Sequence, residues 1–334
     1  MTHSNDIDRS PVYLDCDTGI DDSLALTYLV TSPKVRLVGV GTVSGNTSAE
    51  QAAQNSLNLL AMLGAGHVPV GLGARDFLKR PFDGGVPEIH GENGVGNVDL
   101  PTSPHSLSSS SAVDLLIELS HQYEGQLQIV TVGPLTNIAL ALRQDPTLPT
   151  RVRQLTAMGG AALVPGNVTP VAEANVWNDP EAAAEVFATD WDVTIVPLDI
   201  TLENTLDEND RAALLASGSP TARALGQMLD HYFDFYLPLY GVRSCALHDP
   251  LAAAIAAGGV TPTNAPRIPV TVDTTDGPGR GQVIADLRNQ RLGAVDHPGI
   301  RTRVVLDTDR PLGPHLIDVI TNFPTTLVQE TAAC

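Results

Sequence analysis

The stretch YLDCDTGIDDSLAL, residues 13–26, decides how the chain is read: an apolar run ends in four aspartates, Asp15, Asp17, Asp21 and Asp22, within eight positions. Like charges this close repel, and no basic residue lies in the stretch to compensate them. PVYLDCD (11–17) reads as a buried strand and SLALTYLVTS, just after the aspartates, as a helix. Gly19 permits a sharp turn between the two. The aspartates therefore converge near one strand end, and in open parallel sheets ligands bind beyond the carboxyl ends of the strands. The dipole of the following helix favours Asp21 and Asp22 by only about 0.3–1 kcal/mol each, too little to offset four repelling charges. A bound divalent cation would offset them, and an all-oxygen donor set suits Ca2+ or Mg2+ and not Zn2+.

Outward from this stretch the pattern repeats. VRLVGVGTVSG (35–45) reads as a strand and SAEQAAQNSLNLLAML (48–63) as a helix with Ser48 as its N-cap. QLQIVTVGP (126–134) and NIALALRQ form a third pair. VRQLTAMGG (152–160) is a strand, DPEAAAEVFAT (179–189) a helix, and DVTIVPLDIT (192–201) is expected to be a strand along its whole length. This alternation predicts an α/β fold with an open, mostly parallel, Rossmann-like sheet and helices on both faces. PTSPHSLSSSSAVDLL (101–116) is a surface connection ending in a helix N-cap, because the strand–helix rhythm resumes at once. The last 70 or so residues read as β-rich, ending in a helix near GPHLIDVITNF. The expectation is one domain over residues 1–334.

Composition excludes several partners. The chain has 334 residues and a formal net charge of −19, with Lys34 and Lys79 as its only lysines. No basic stripe exists for a nucleic acid polymer. No apolar window approaches the roughly 18 residues of a membrane span. MTHSNDIDRSPVYLD lacks the basic start and apolar core of a secretory leader. Three cysteines, Cys16, Cys245 and Cys334, make no disulfide framework, so reduced thiols in a cytoplasmic protein are expected.

LDCDTGIDDSLAL resembles the D-x-D-P-G-x-D-D signature of the nucleoside hydrolases, the inosine–uridine preferring N-ribohydrolases, with Thr18 where Pro is common. Five further segments match in order. VSGNTSAEQAAQNSLNLL carries the family's Gly-Asn turn, and IHGENGVGN (89–97) its HGxxGxG loop. VGPLTNIALAL, MGGAALVPGNVTPVAEANVWNDPEAAAEV and CALHDPLAAA (245–254) carry the GPLTN, MGG…AExN…DPEAA and HDPLA motifs. The resemblance implies the nucleoside hydrolase fold and Ca2+-dependent hydrolysis of a small-molecule nucleoside to ribose and free base. It also implies a homodimer or homotetramer.

By resemblance, Asp17, Asp22, Asp249 and the carbonyl oxygen of Val132 would hold Ca2+. The remaining positions would go to the nucleophilic water and the ribose 2′- and 3′-hydroxyls. Asp17 would also be the general base. Asp21 would accept from the 2′-hydroxyl, and Asn46, Asn167, Glu173 and Asn175 would hold the other ribose hydroxyls. Positive charge developing on the ribose ring, as in glycoside hydrolysis, would be stabilised by these oxygens. Asp15 would orient the ligands from behind. His248, inside LHDPLA, would protonate the departing base. His90 lies in a Gly-rich loop that could close over the sugar. Tyr232 and Tyr236, four apart in HYFDFYLPLYG (231–241), share a helix face and would line the base.

Ala174 departs from the family, many of whose members carry Phe there, and this widens the wall near the base; Trp177 stands close by. LDTD (306–309) repeats Asp-x-Asp without the following Gly-x-Asp-Asp and reads as a structural strand end. A haloacid dehalogenase-type phosphatase would need Thr or Val two places after its second Asp, where this chain has Gly19. The other alternative is a calcium-dependent nucleoside or sugar binder without turnover, against which Asp17 and His248 argue.

Overall fold

The computed structural model describes residues 9–288, 290 and 293–323. Cys334 and most of the segment bearing on a leader lie outside these residues. The first half runs β1 (Ser10–Cys16), α1 (Ile20–Thr31), β2 (Val35–Thr42), α2 (Ala49–Met62), β3 (Val70–Leu72), α3 (Pro87–His90), α4 (Ala112–Gln122), β4 (Leu127–Thr131), α5 (Thr136–Gln144) and β5 (Val152–Met158). Next come α6 (Ala174–Asn178), α7 (Pro180–Ala188), β6 (Val193–Val196), α8 (Leu198–Thr201), β7 (Thr205–Asp207), α9 (Glu208–Ala216), α10 (Pro220–Tyr240), β8 (Ser244–Ala246) and α11 (His248–Ala256). The chain closes with β9 (Pro262–Asn264), β10 (Val270–Val272), β11 (Val283–Ala285), β12 (Arg303–Val304), β13 (Asp307–Thr308) and α12 (Gly313–Thr321).

Seven strands form one sheet in the order β12-β6-β5-β4-β1-β2-β3, and every pairing in it is parallel. Helices cover both faces, which is why β1 is buried from Pro11 on and β4 along its whole length. One core lies under α1, α2, α10, α11 and α12, and the other under α4, α5 and α7. Together they form a single α/β domain.

The chain leaves β1 toward β2 and β3, and leaves β4 the opposite way toward β5 and β6. The carboxyl ends of β1 and β4 therefore flank the switch point of the sheet, where a crevice opens. Both ends are locked in register: Asp15 pairs with Thr131 across the gap, and the Val132 N–H donates to Asp15 O at 2.9 Å.

Local sequence explains the helix starts. Ser48 and Ser111 accept from the Gln51 and Asp114 N–H groups, as expected, and Asp179 caps α7 by accepting from Ala182 N–H. The strand expected over 192–201 is corrected: β6 stops at Val196 and residues 198–201 are helical. Pro197 has no N–H to give the ladder and favours a helix start. The β-rich tail divides. β10 and β11 form a separate antiparallel pair, β12 extends the main sheet, and Asp307 of the LDTD run pairs with Asn264 of β9.

Candidate active site

Two backbone turns at the switch point build the floor. After β1 the chain turns at Gly19, whose N–H donates to Asp22 Oδ2 at 2.7 Å, while Asp22 Oδ1 accepts from Asp17 N–H at 3.1 Å. Asp22 thus folds back and closes the acid turn over its own helix start. From β2 comes the Gly45-Asn46 turn: Asn46 N–H donates to Asp17 Oδ2 at 2.6 Å, and Asn46 Nδ2 to Asp22 Oδ2 at 3.0 Å. From β4 comes Gly133, where a Cβ would stand 2.9 Å from Asp17 Oδ1, so only glycine lets this turn approach. His248 and Asp249 arrive from the first turn of α11.

These turns bury the acids. Asp15, Asp17, Asp22 and Asp249 are all at most 2% exposed, and Asp21 is 6% exposed. One carboxylate oxygen each from Asp21, Asp22 and Asp249 lies within 4.8 Å of the others. Asp17, expected beside Asp22 and Asp249, is not part of this trio, and its Oδ2 accepts from Asn46 N–H. Burial, then neighbouring carboxylates, pushes Asp17 and Asp249 well above the ordinary range, and burial also raises Asp22. Asp21 is pushed up to about 7 by burial and then by Asp22, and Asp15 to about 7 by burial. Asp17 Oδ1, Asp21 Oδ1 and Asp249 Oδ2 are buried with no hydrogen-bond partner. Buried acceptors left without partners, all hard oxygens, fit a divalent cation of the Ca2+ class.

Above the floor opens a cleft of about 600 Å3, a size suited to a small organic ligand. Asp21, Asn46, His90, Val132, Asn167, Glu173, Asn175, Tyr232, Tyr236, His248 and Asp249 all line it. Asp17 and Asp22 sit beneath, and Asp15 lies deeper, accepting from Tyr13 Oη at 3.2 Å and Asn137 Nδ2 at 3.0 Å.

Several of these residues also have structural duties. Glu173 Oε1 accepts from Asn175 N–H at 2.8 Å, and its Oε2 from Gly160 N–H at 2.8 Å and Val176 N–H at 3.2 Å, so it caps α6. Asn175 Nδ2 donates to the carbonyl oxygen of Val132 at 2.8 Å. Asn167 Oδ1 accepts from Ala174 N–H at 3.0 Å, leaving its amide nitrogen for the cleft. Tyr232 Oη donates to Asp21 Oδ2 at 3.2 Å, which ties it to an acid and not only to the base side. The Tyr232 and Tyr236 rings meet edge-on with centroids 5.0 Å apart, and Tyr240 stacks on Tyr236 at 5.0 Å and 5°. With Phe235, Leu239 and Trp177 they give the cleft an apolar, aromatic side.

The two histidines differ. His90 Nδ1 accepts from Ile20 N–H at 3.0 Å, so it caps α1 while it lines the cleft; Gly19 makes room, since a Cβ there would meet Nδ1 at 2.5 Å. Burial lowers its pKa to about 3. His248 Nδ1 lies 2.8 Å from Thr201 Oγ1, and burial lowers its pKa to about 4. Sequence reasoning missed Thr201, because LDIT was read as strand. It also missed Asn137, which joins Asp15 to the Thr42 and Ala74 backbone, and Asp179, which accepts from Leu78 N–H and Thr136 Oγ1. The motifs GPLTN and NDPEAA contain both, but nothing local states which distant atoms they hold.

The chain is similar to known proteins over most of its length. Residues 12–312 match a family model described as inosine-uridine preferring nucleoside hydrolase. The chain is 37% identical over 243 residues to uridine nucleosidase 1 of Arabidopsis thaliana, covering 72% of this chain and 71% of the relative. It is 35% identical over 282 residues to an inosine-uridine preferring nucleoside hydrolase of Leishmania major, covering 84% and 88%. A solved purine-preferring ribonucleoside hydrolase from Gardnerella vaginalis superposes with a TM-score of 0.84 at 32% identity, over 95% of this chain and 99% of that one.

Proposed function

The chain belongs to the inosine-uridine preferring nucleoside hydrolase family and hydrolyses the N-glycosidic bond of ribonucleosides, and from that premise we propose how its residues divide the work. Asp17, Asp22, Asp249 and the Val132 carbonyl would hold one Ca2+, with Asp21 at its border. When bound, this ion supplies the positive charge that the orphaned acceptors lack, acidifies a water and orients the ribose diol. The single observation that carries the reading is the set of unpartnered buried oxygens on Asp17, Asp21 and Asp249, two of which belong to residues lining one cleft.

Asp17, beneath the sugar, takes the proton of the attacking water through Oδ1. Asp21, with Tyr232 donating to it, receives the ribose 2′-hydroxyl; Asn46, Asn167, Glu173 and Asn175 hold the remaining hydroxyls. As the C1′–N bond breaks and the C1′–O bond forms, positive charge on the ring is met by fixed carboxylates and amide oxygens. His248 sends a proton from Nε2 to the departing base nitrogen, with Thr201 holding Nδ1. His90 packs over the sugar. Among the described residues lining the cleft there is no lysine or arginine, so a phosphate would find no partner and nucleosides are favoured over nucleotides.

The proposed setting is nucleoside salvage or catabolism in the cytoplasm, supported by the buried free thiols of Cys16 and Cys245, with a homodimer or homotetramer as the assembly. Among the described residues no helix is long and apolar enough to cross a membrane. The test is a panel of purine and pyrimidine nucleosides assayed for reducing sugar after exhaustive chelation and after adding Ca2+. Ribose release that stops on chelation and returns with Ca2+ is expected. Full turnover in the chelated protein would overturn the role of the ion.

A further inference from the structure

The segment after α3 is tied to itself before it is tied to anything else. Asn93 Oδ1 accepts from the Val95 and Asn97 N–H groups, each at 3.0 Å, and Asn93 Nδ2 donates to Val98 O at 3.0 Å. Gly96 N–H closes the loop onto His90 O at 2.7 Å. With its side chain consumed inside the loop, Asn93 presents its own backbone carbonyl to α2. There Asn55 Nδ2 donates to Asn93 O at 2.9 Å and to Thr18 O at 3.1 Å. An amide nitrogen carries two hydrogens, so one group spans both oxygens. Because both partners are carbonyls, the nitrogen must face them, and Asn55 Oδ1 is left to accept from Gln51 Nε2 at 2.9 Å. Asn55 is 2% exposed, so water does not replace these bonds when they are lost.

Thr18 sits between Asp17 and Gly19 in the acid turn, and the Asn93 loop carries His90 at its start. We propose that Asn55 is a positioning residue: its amide clips the 90–98 loop to the acid turn and thereby fixes His90 against Asp21. His90 Nδ1 is 4.0 Å from Asp21 Oδ1 and is held there on one side by Ile20 N–H. Asn55 supplies the hold on the other side. Without it, the His90 ring keeps its bond to Ile20 and its packing on Tyr232, and the loop keeps its internal bonds but loses its register on the site. A shift of about 1 Å in a positioning group costs on the order of a hundredfold in rate. The kinetic consequence rests on the proposed hydrolysis; the mechanical link does not.

The experiment uses the full chain supplied with Ca2+ and compares Asn55→Ala with Asn55→Asp, which keeps the shape but points a carboxylate at two carbonyls. Each should lower kcat/KM for the best nucleoside about 10- to 100-fold, and Asn55→Ala should cost no more than about threefold when made in a His90→Ala background. Equal losses in both backgrounds, or a lower Tm with kcat/KM at 25 °C unchanged, would overturn the proposal and leave Asn55 a packing residue. Hydrogen exchange gives a second readout if these variants fold poorly. In the milder Asn55→Ser, residues 88–98 should exchange faster while β1 and β4 keep their protection. Unchanged exchange in 88–98 would also overturn it. A wild-type chain that hydrolyses no nucleoside would sink the proposed function and leave this exchange result standing.

Discussion

Asp17 holds one carboxylate oxygen on the Asn46 N–H and leaves the other, Oδ1, buried and unpartnered. On the proposed mechanism that asymmetry suits a general base: one oxygen fixes the group and the other is left to take a proton. Asp17→Asn keeps the size and the Asn46 contact but removes the basic oxygen. Turnover should fall by about 10^3 or more while nucleoside binding, read by calorimetry, persists. Turnover close to wild type would remove Asp17 from that role. His248 makes a separate prediction. Burial disfavours its cation, and on the proposed mechanism it is that cation, with Thr201 Oγ1 accepting from Nδ1–H, that gives the Nε2 proton to the base and returns to neutral imidazole. His248→Ala should therefore slow inosine by about 10^2–10^4 and an activated nitrophenyl riboside far less. Thr201→Val should reproduce the same selectivity in weaker form. Equal losses on both substrates would assign the pair to folding instead.

At the scale of elements, the cleft walls are loops and short helices pinned to the sheet by single buried carboxylates. Asp179 does this for three segments: it caps α7, accepts from Thr136 Oγ1 at 2.7 Å on α5, and accepts from Leu78 N–H at 2.9 Å in the loop that leads to α3. Asp179→Ala strands these donors in a buried site, each unmet group costing about 1–3 kcal/mol. A loss of about 2–4 kcal/mol in denaturant unfolding is expected, against less than about 1 kcal/mol for a part-buried cap such as Ser219→Ala. A smaller loss at Asp179 than at Ser219 would contradict the assignment. The same scale explains the failed strand at 198–201. A run of apolar residues said strand, but Pro197 ended the ladder, and the helical turn that followed brought Thr201 under His248.

Over the whole molecule, the acidic cluster makes stability depend on pH and, on the proposed reading, on bound Ca2+. Asp15 and Asp21 are raised to about 7, so the cation-free fold holds their protons more tightly than the unfolded chain does. Their favourable contribution is complete below the unfolded value of about 4 and is lost as pH rises toward 7. Chelated protein should therefore melt higher at pH 5.5 than at pH 7.5. Ca2+ binds the ionised acids, so its stabilisation should be larger at pH 7.5, growing with free ion as RT ln(1 + [L]/Kd). A calcium-induced Tm shift no larger at pH 7.5 than at pH 5.5 would show that these carboxylates do not share one ion.

The alternation of apolar strands with helices, the serine caps at Ser48 and Ser111, and the density of aspartates in 15–22 are properties of neighbouring residues, and periodicity and charge repulsion act at that range. They determined the parallel sheet, the place of the site at the end of β1 and the need for positive charge there. Which atoms meet was decided only in three dimensions. Asn55 joins Thr18 to Asn93, Thr201 meets His248, and Tyr232 reaches Asp21 because packing brings together segments that the sequence keeps far apart. Each such contact satisfies a buried polar group that could otherwise have paired with water, and no local pattern records that choice.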